Sequence, residues 1–171
     1  MPEKGLTRNR NPGSMWSMKT KTSLLTLALC FAAGAVCLAS PFTGVWNLNP
    51  AKSKFAPDMT KNTVVVYKDT MWGKTNISVD SVDAKGKAGH SEWSGKFDGK
   101  DYAVTGDASS DMRAYTKVDD RTMTFTSKKA GKIVVNGRVA VAADGKSRTV
   151  TTSGTNAKGK KFKSTAFYDK K

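Results

Sequence analysis

His90, Ser91 and Glu92 stand side by side and supply, by type, a base, a hydroxyl nucleophile and an acid. Successive side chains of an extended strand project to opposite faces, so Ser91 would point away from both neighbours, and the adjacency works against a triad. A polar strand face explains the three residues more simply. His90 is the only histidine, and beyond residue 40 Glu92 is the only glutamate and no cysteine remains. The stretches from Asp98 to Asp101 and from Asp107 to Asp111 would hold at most a weak surface cation. Asp98, Asp119, Asp120 and Asp144 fall in turn sequences, where a carboxylate bonds local backbone. There is no helix-borne carboxylate pair, no metal-ligand spacing and no glycine-rich phosphate loop. The expectation is a protein that is not an enzyme, with no catalytic residue, no metal and no cofactor.

The aromatic side chains offer more. Trp46, Trp93, Phe97, Tyr102, Phe125 and Phe162 either fill a barrel, with Trp46 plugging one end, or line an apolar pocket, and small barrels permit both. Trp46, Trp93, Tyr102 and Phe125 are the candidate ligand-binding residues. At the C-terminus Lys158, Lys160, Lys161, Lys163, Lys170 and Lys171 interleave with Phe162 and Phe167, a composition that suits stacking on nucleic acid. Strand parity turns Phe162 inward and the lysines outward, which reads as a charged edge with no specific nucleic-acid partner. Asn76-Ile-Ser78 fits a glycosylation sequon but is too common a match to carry weight.

The elements that must position these residues are short strands. In Phe42-Thr-Gly-Val-Trp-Asn-Leu-Asn49, Phe42, Gly44, Trp46 and Leu48 share one parity and hence one face. Alternating segments follow at 62–68, 74–83, 89–97, 101–104, 112–118, 121–127, 132–143, 148–154 and 161–168. Between them lie turn sequences such as Ala84-Lys-Gly86, Asp98-Gly99, Ala130-Gly131 and Asp144-Gly145. Pro-bounded 49–57 has room for one helical turn starting at Pro50. Inward faces are expected to carry Ile77 and Val79; Trp93 and Phe97; Tyr102 and Val104; Met112, Ala114 and Val118; Met123 and Phe125; Ile133, Val135, Val139 and Val141; Val150; and Phe162, Ala166 and Tyr168. Val82 breaks the parity of its strand, which places a bulge near Asp80–Ser81, and Gly137 marks a bend. About ten antiparallel strands with one apolar face and no helix to cover it close best as an all-β up-and-down meander, a barrel of eight to ten strands. A two-sheet sandwich is the alternative.

Charge and leader bound the rest. The formal charge of the 171-residue chain is +15. Lys4, Arg8, Arg10, Lys19 and Lys21 against Glu3 give the first 40 residues +4, so residues 41–171 carry +11. Such a field attracts anionic surfaces and polymers. Residues 1–17 are polar and patternless, a disordered or untranslated leader with Met15 and Met18 as alternative starts. Residues 18–40 have the three parts of a secretory signal: Lys19 and Lys21, an apolar run over 23–38, then Ala39 and Ser40. Pro41 disfavours cutting after Ser40, which points to Ala39. A run of roughly 16 residues is short for a membrane anchor, which needs about 20. Leu29 before Cys30 and Val36 before Cys37 are not the small residues that lipoprotein processing requires. Both cysteines lie in this leader, so 41–171 is a single disulfide-free barrel domain, taken as a monomer, secreted or periplasmic.

The opening Phe42–Phe55, the central Phe97-Asp-Gly-Lys-Asp-Tyr-Ala-Val-Thr-Gly106, and Gly154-Thr-Asn-Ala-Lys-Gly159 with Tyr168-Asp-Lys170 resemble an uncharacterised family of secreted bacterial proteins across 41–171. More distantly, Gly44-Val-Trp46 at the start of a ten-strand meander is similar to the calycins, that is, lipocalins and fatty-acid-binding proteins. The resemblance implies a lipocalin-like barrel holding a small apolar ligand. Lipocalins set a late arginine against the opening tryptophan, and fatty-acid-binding proteins end on an Arg-x-Tyr that grips a carboxylate. Here the comparable end is Ala166-Phe167-Tyr168, so the resemblance carries over Trp46 alone and no carboxylate grip. The two functional classes are therefore a binding module for a small apolar ligand and a basic protein whose outer face binds an anionic surface or polymer. Cell fractionation is expected to recover a shortened, soluble product from the periplasm or medium; precursor-length protein confined to the inner membrane would mean an uncleaved anchor.

Overall fold

The structure, a computed structural model, describes residues 40–156 and 159–171. The leader and signal segment fall outside the described residues except for Ser40, as does Lys158. Ten strands follow one another: β1 Gly44–Leu48, β2 Lys61–Asp69, β3 Thr75–Val82, β4 Ala88–Gly95, β5 Tyr102–Thr105, β6 Met112–Lys117, β7 Thr122–Lys129, β8 Lys132–Val141, β9 Ser147–Thr155 and β10 Lys161–Lys170. Each pairs antiparallel with its neighbours in sequence. β1 also pairs with β10, Trp46 opposite Lys170 and Leu48 opposite Tyr168, so the meander closes into an all-β barrel.

Local chemistry explains the connections. Asn49 caps the single 3-10 turn, Pro50–Lys52, by accepting from the Lys52 amide at 3.2 Å. Asp98, Asp119 and Asp144 each accept the backbone N–H two residues on, the expected turn bonding. Asp120 instead takes the Lys117 ammonium at 2.8 Å. Ala130 and Gly131, at φ 48° and 76°, form a two-residue hairpin turn between the paired Lys129 and Lys132.

One end of the barrel is filled. Phe42 and Trp46 are 2% and 0% exposed, and the Trp46 indole N–H donates to the Phe42 carbonyl at 2.8 Å. Beside them Trp93 stacks on Phe97 with centroids 6.1 Å apart and meets Tyr115 edge-on at 4.8 Å. Burial of such rings is worth about 25 cal/mol per Å² of apolar area removed from water, and the buried indole of Trp93 loses no hydrogen bond, since it donates to the Arg113 carbonyl at 2.9 Å.

Four sequence expectations need correction. Arg113 and Tyr115, not Met112 and Ala114, turn into the barrel from β6, and Val118 lies beyond the strand, 55% exposed. Hydrogen bonds to Ser127 and Asp107 compensate the burial of Arg113, so its parity wins although it is charged. Ile133 is also 55% exposed, because the register slips between Ser127 and Lys128 and gives β8 an extra residue, Val134. The bulge placed near Asp80–Ser81 is on the opposite strand: Asn62 pairs with Ser81 and Val64 with Asp80, leaving Thr63 as the extra residue. Gly137 makes room rather than a bend, since it pairs with Phe125 and a Cβ there would lie 2.2 Å from that ring.

On the outer face His90 pairs with Asp80 across β3 and β4, its Nδ1 2.6 Å from the carboxylate and its Nε2 3.5 Å from Glu92. Ser91 faces the interior, as strand alternation requires. Hydrogen bonds to Asp80 first and Glu92 second hold the His90 pKa above its usual 6.5. A folded pKa raised above the unfolded one gives stability that is full below pH about 6.5 and is lost as pH rises through the folded value. Because His90 is the only histidine, an NMR titration reads it directly: the midpoint should exceed 6.5 and fall toward it in Asp80→Asn. In the core, Gly137→Val is expected to cost about 1–3 kcal/mol by overpacking against Phe125. Chemical denaturation of Gly137→Val with Phe125→Ala should show the second change recovering part of that loss.

Candidate ligand cavity

The other half of the barrel is open inside. A cavity of about 1000 Å³ runs from the turns after β1, β3, β5 and β9 down to the aromatic floor. Val65, Val79, Val139, Val150, Ala166 and Phe125 face inward along it, among serine, threonine and charged residues of the same lining. Space exists because inward positions near the mouth are small: Gly89 and Ser91 on β4, Thr152 on β9 and Ser164 on β10. Gly106 belongs to the same rim, where a Cβ would lie 2.2 Å from the His90 carbonyl oxygen and φ is +76°. Only glycine lets the chain pass so close to β4 in that conformation.

Two arginines reach the interior and differ in their surroundings. Arg113 is paired within the protein: Nε donates to Ser127 at 2.9 Å, and Nη2 donates to Asp107 at 3.1 Å and to Ser110 at 3.4 Å. Burial alone would lower its pKa, but nearby Tyr115 and Asp107 outweigh that and raise it. Burial likewise pushes Asp107 up, while bonds from Ser109 and Ser110 and the charge of Arg113 bring it below the ordinary carboxylate value. The pair is a neutral unit set in the wall.

Arg148 is 2% exposed. It comes from β9, opposite Tyr168 of β10 and Val141 of β8, and its guanidinium carbon lies 4.7 Å from the Trp46 ring, 4.8 Å from Tyr168 and 4.9 Å from Tyr67. This cage is the floor of the cavity. Cation–π attraction in a desolvated site is worth about 2 kcal/mol or more and offsets part of the cost of burying the charge. Nε and Nη1 have no hydrogen-bond partner. Burial pushes the Tyr168 hydroxyl up to about 12, with Arg148 opposing, and it donates to the Asn62 carbonyl at 3.0 Å. Burial raises the Tyr115 hydroxyl as well, so both phenols stay neutral at physiological pH.

The residues chosen from the sequence divide between these regions. Phe125 lines the cavity. Trp46 lies under Arg148, and Trp93 is 3% exposed within the aromatic packing. Tyr102 meets Trp93 edge-on at 5.7 Å and its hydroxyl donates to Asp98 at 3.1 Å. Trp93, Tyr102 and Phe125 are linked through Tyr115, which stands 5.3 Å from Phe125, while Trp46 belongs to the separate arginine cage. Sequence reasoning passed over Arg148, Tyr67, Arg113 and Tyr115. The signal was present for Arg148, which shares the parity of inward Val150. Arg148, on the strand next to that of Ala166, stacks on the opening tryptophan.

No protein-family model matches the chain, and no curated protein is significantly similar to it. Among solved structures it is similar to EF1p2_mFAP2b bound to DFHBI, at 8% identity and TM-score 0.46 over 77% of this chain and 94% of that one. It is also similar to a redesigned beta barrel, b11L5F_LGL, at 13% identity and TM-score 0.45 over 77% and 93%. A third, the redesigned beta barrel mFAP1 bound to DFHBI, matches at 13% identity and TM-score 0.41 over 74% and 94%. At these scores the barrel assignment rests on the chain's own strand pairing, a closed ten-stranded antiparallel barrel consistent with lipocalin-like architecture.

Proposed function

We propose that this chain is an exported, non-enzymatic binding module that holds a small, mainly apolar molecule inside its barrel. The observation that carries the reading is the cavity itself: about 1000 Å³ inside the barrel, with aliphatic side chains and Phe125 along part of its wall and serine, threonine and charged residues along the rest. Small-molecule sites are hollows of this order of size, about 300–1000 Å³, in which apolar surface is combined with convergent polar groups. The grouped acid, base and hydroxyl residues do not compete with it, because His90 and Glu92 lie outside the barrel and Ser91 inside.

A second reading, docking on an anionic surface through the outer face, draws on the turns around the mouth. Lys61, Lys85, Lys87, Lys129, Lys132, Lys160 and Lys161 are all exposed there. Nearby Asp83 and Asp111 accept backbone N–H bonds, and Asp107 serves Arg113.

Salt separates the two. Transfer of an apolar molecule out of water is scarcely weakened by moderate salt, whereas exposed charges are screened over about 8 Å at physiological ionic strength. An environment-sensitive apolar probe is expected to bind with micromolar affinity, about −8 kcal/mol, with little change between low and moderate salt, and to perturb tryptophan emission. Binding lost at moderate salt and competed by heparin-like polymer or anionic vesicles would select the surface reading. No probe binding at any salt would reject the cavity reading.

A further inference from the structure

We infer that the tip of the β2–β3 hairpin is a membrane-docking element: Met71 and Trp72 enter the interfacial layer of an anionic bilayer while the lysines around them meet its headgroups. Met71 is 95% exposed and Trp72 81%, side by side at the apex. The fold does not require them. The Thr70 amide donates to the Lys74 carbonyl at 2.8 Å and the Gly73 amide to the Thr70 carbonyl at 3.3 Å, with Gly73 at φ 67°. The β3–β4 turn closes in the same way, Asp83 to Lys87 at 3.0 Å and Gly86 to Asp83 at 3.1 Å with Gly86 at φ 83°, and it carries Ala84 and Lys85 at the two apical positions. One backbone thus serves a small, charged pair as well as a large apolar one. Single apolar side chains on a surface are ordinary, but a tryptophan beside a methionine on a fixed tip joins an apolar body to a polar N–H, the build that favours the membrane–water interface.

Charge identifies the partner. Lys68 and Lys74 flank the tip, Lys96 follows the end of β4, and Lys171 bonds the Val45 carbonyl of β1; all four are exposed. The hairpin's one carboxylate, Asp69, is taken up by Thr43 at 2.6 Å and Thr75 at 2.9 Å. No ion pair among the described residues involves Lys68, Lys74 or Lys96. A basic rim around an apolar tip gives the two signals that together hold a protein at an anionic membrane. The bond from Thr43 also puts the start of β1 at this end, and with it the junction to the apolar run over 23–38. Under the export reading this is the end of the barrel that leads back to the membrane, whereas the cavity opens at the other.

The test uses residues 41–171, whose ten strands close without the leader, and vesicles of phosphatidylcholine with one quarter phosphatidylglycerol. Trp72 is the exposed tryptophan of the three in 41–171, so docking should shift emission to the blue and allow quenching by lipids brominated on their acyl chains. Met71→Ser combined with Trp72→Ser should lower vesicle partition at least tenfold in sedimentation. Binding of an apolar probe in the cavity should be unchanged in that variant, so the two readings fail separately. No partition of the unaltered protein would overturn the inference. Partition that survives the double change would also overturn it and assign membrane contact to the lysines of the mouth. So would a blue shift that grows with protein concentration in the absence of vesicles, which would make a second copy the occupant. Quenching on unaltered protein decides the matter even if the double variant fails to fold.

Discussion

Everything in this barrel depends on β1 being paired on both sides. It has only five residues, yet it bonds β2 through Gly44–Asn47 and β10 through Trp46–Leu48, and without it the sheet would have two open edges and no enclosed interior. The same strand delivers Trp46 to the inside. Closure and core formation are thus one event: the register that seals the sheet also sets the indole beneath Arg148, with Lys170, its cross-strand partner, 5.1 Å from the same ring.

Circumference then decides what the interior can be. About eight strands enclose a space that side chains just fill, and ten enclose more. This chain fills one half with Phe42, Trp46, Trp93, Phe97 and Tyr115 and leaves the other half hollow by placing glycine, serine and threonine on the inward face. The narrowest pairing lies at β5, whose four residues make two residue pairs with β4 and two with β6. The aromatic cluster stands behind this thin part of the wall, where Trp93 donates to the Arg113 backbone across it. Packing and hydrogen bonding there replace ladder bonds the short strand cannot supply.

Electrostatics divides the same interior a second way. A buried arginine is tolerable when a carboxylate and hydroxyls satisfy it, as around Arg113, or when aromatic faces spread its charge, as around Arg148. The first arrangement is closed and the second keeps unmet hydrogen-bonding capacity. That difference separates the paired Arg113 in the wall from the ring-caged Arg148 at the floor.

Sequence alone determined the strands, their antiparallel order and the burial of Trp46, because alternation and turn chemistry are local: Asp144-Gly145 turns the chain whatever lies beyond it, and Ile77 and Val79 share a face by strand geometry. It also separated Ser91 from His90 and Glu92. Tertiary structure decided what locality cannot reach. Bulges at Thr63 and Val134 shifted parity because each is a property of two strands in register, which exposed Ile133. Arg113 and Tyr115 displaced Met112 and Ala114 from the interior because their partners, Asp107, Ser127 and Phe125, come from other parts of the chain. Arg148 was hidden by the rule that arginines face water; its burial is set by Trp46, Tyr67 and Tyr168, three rings from three other strands that meet only when the barrel closes.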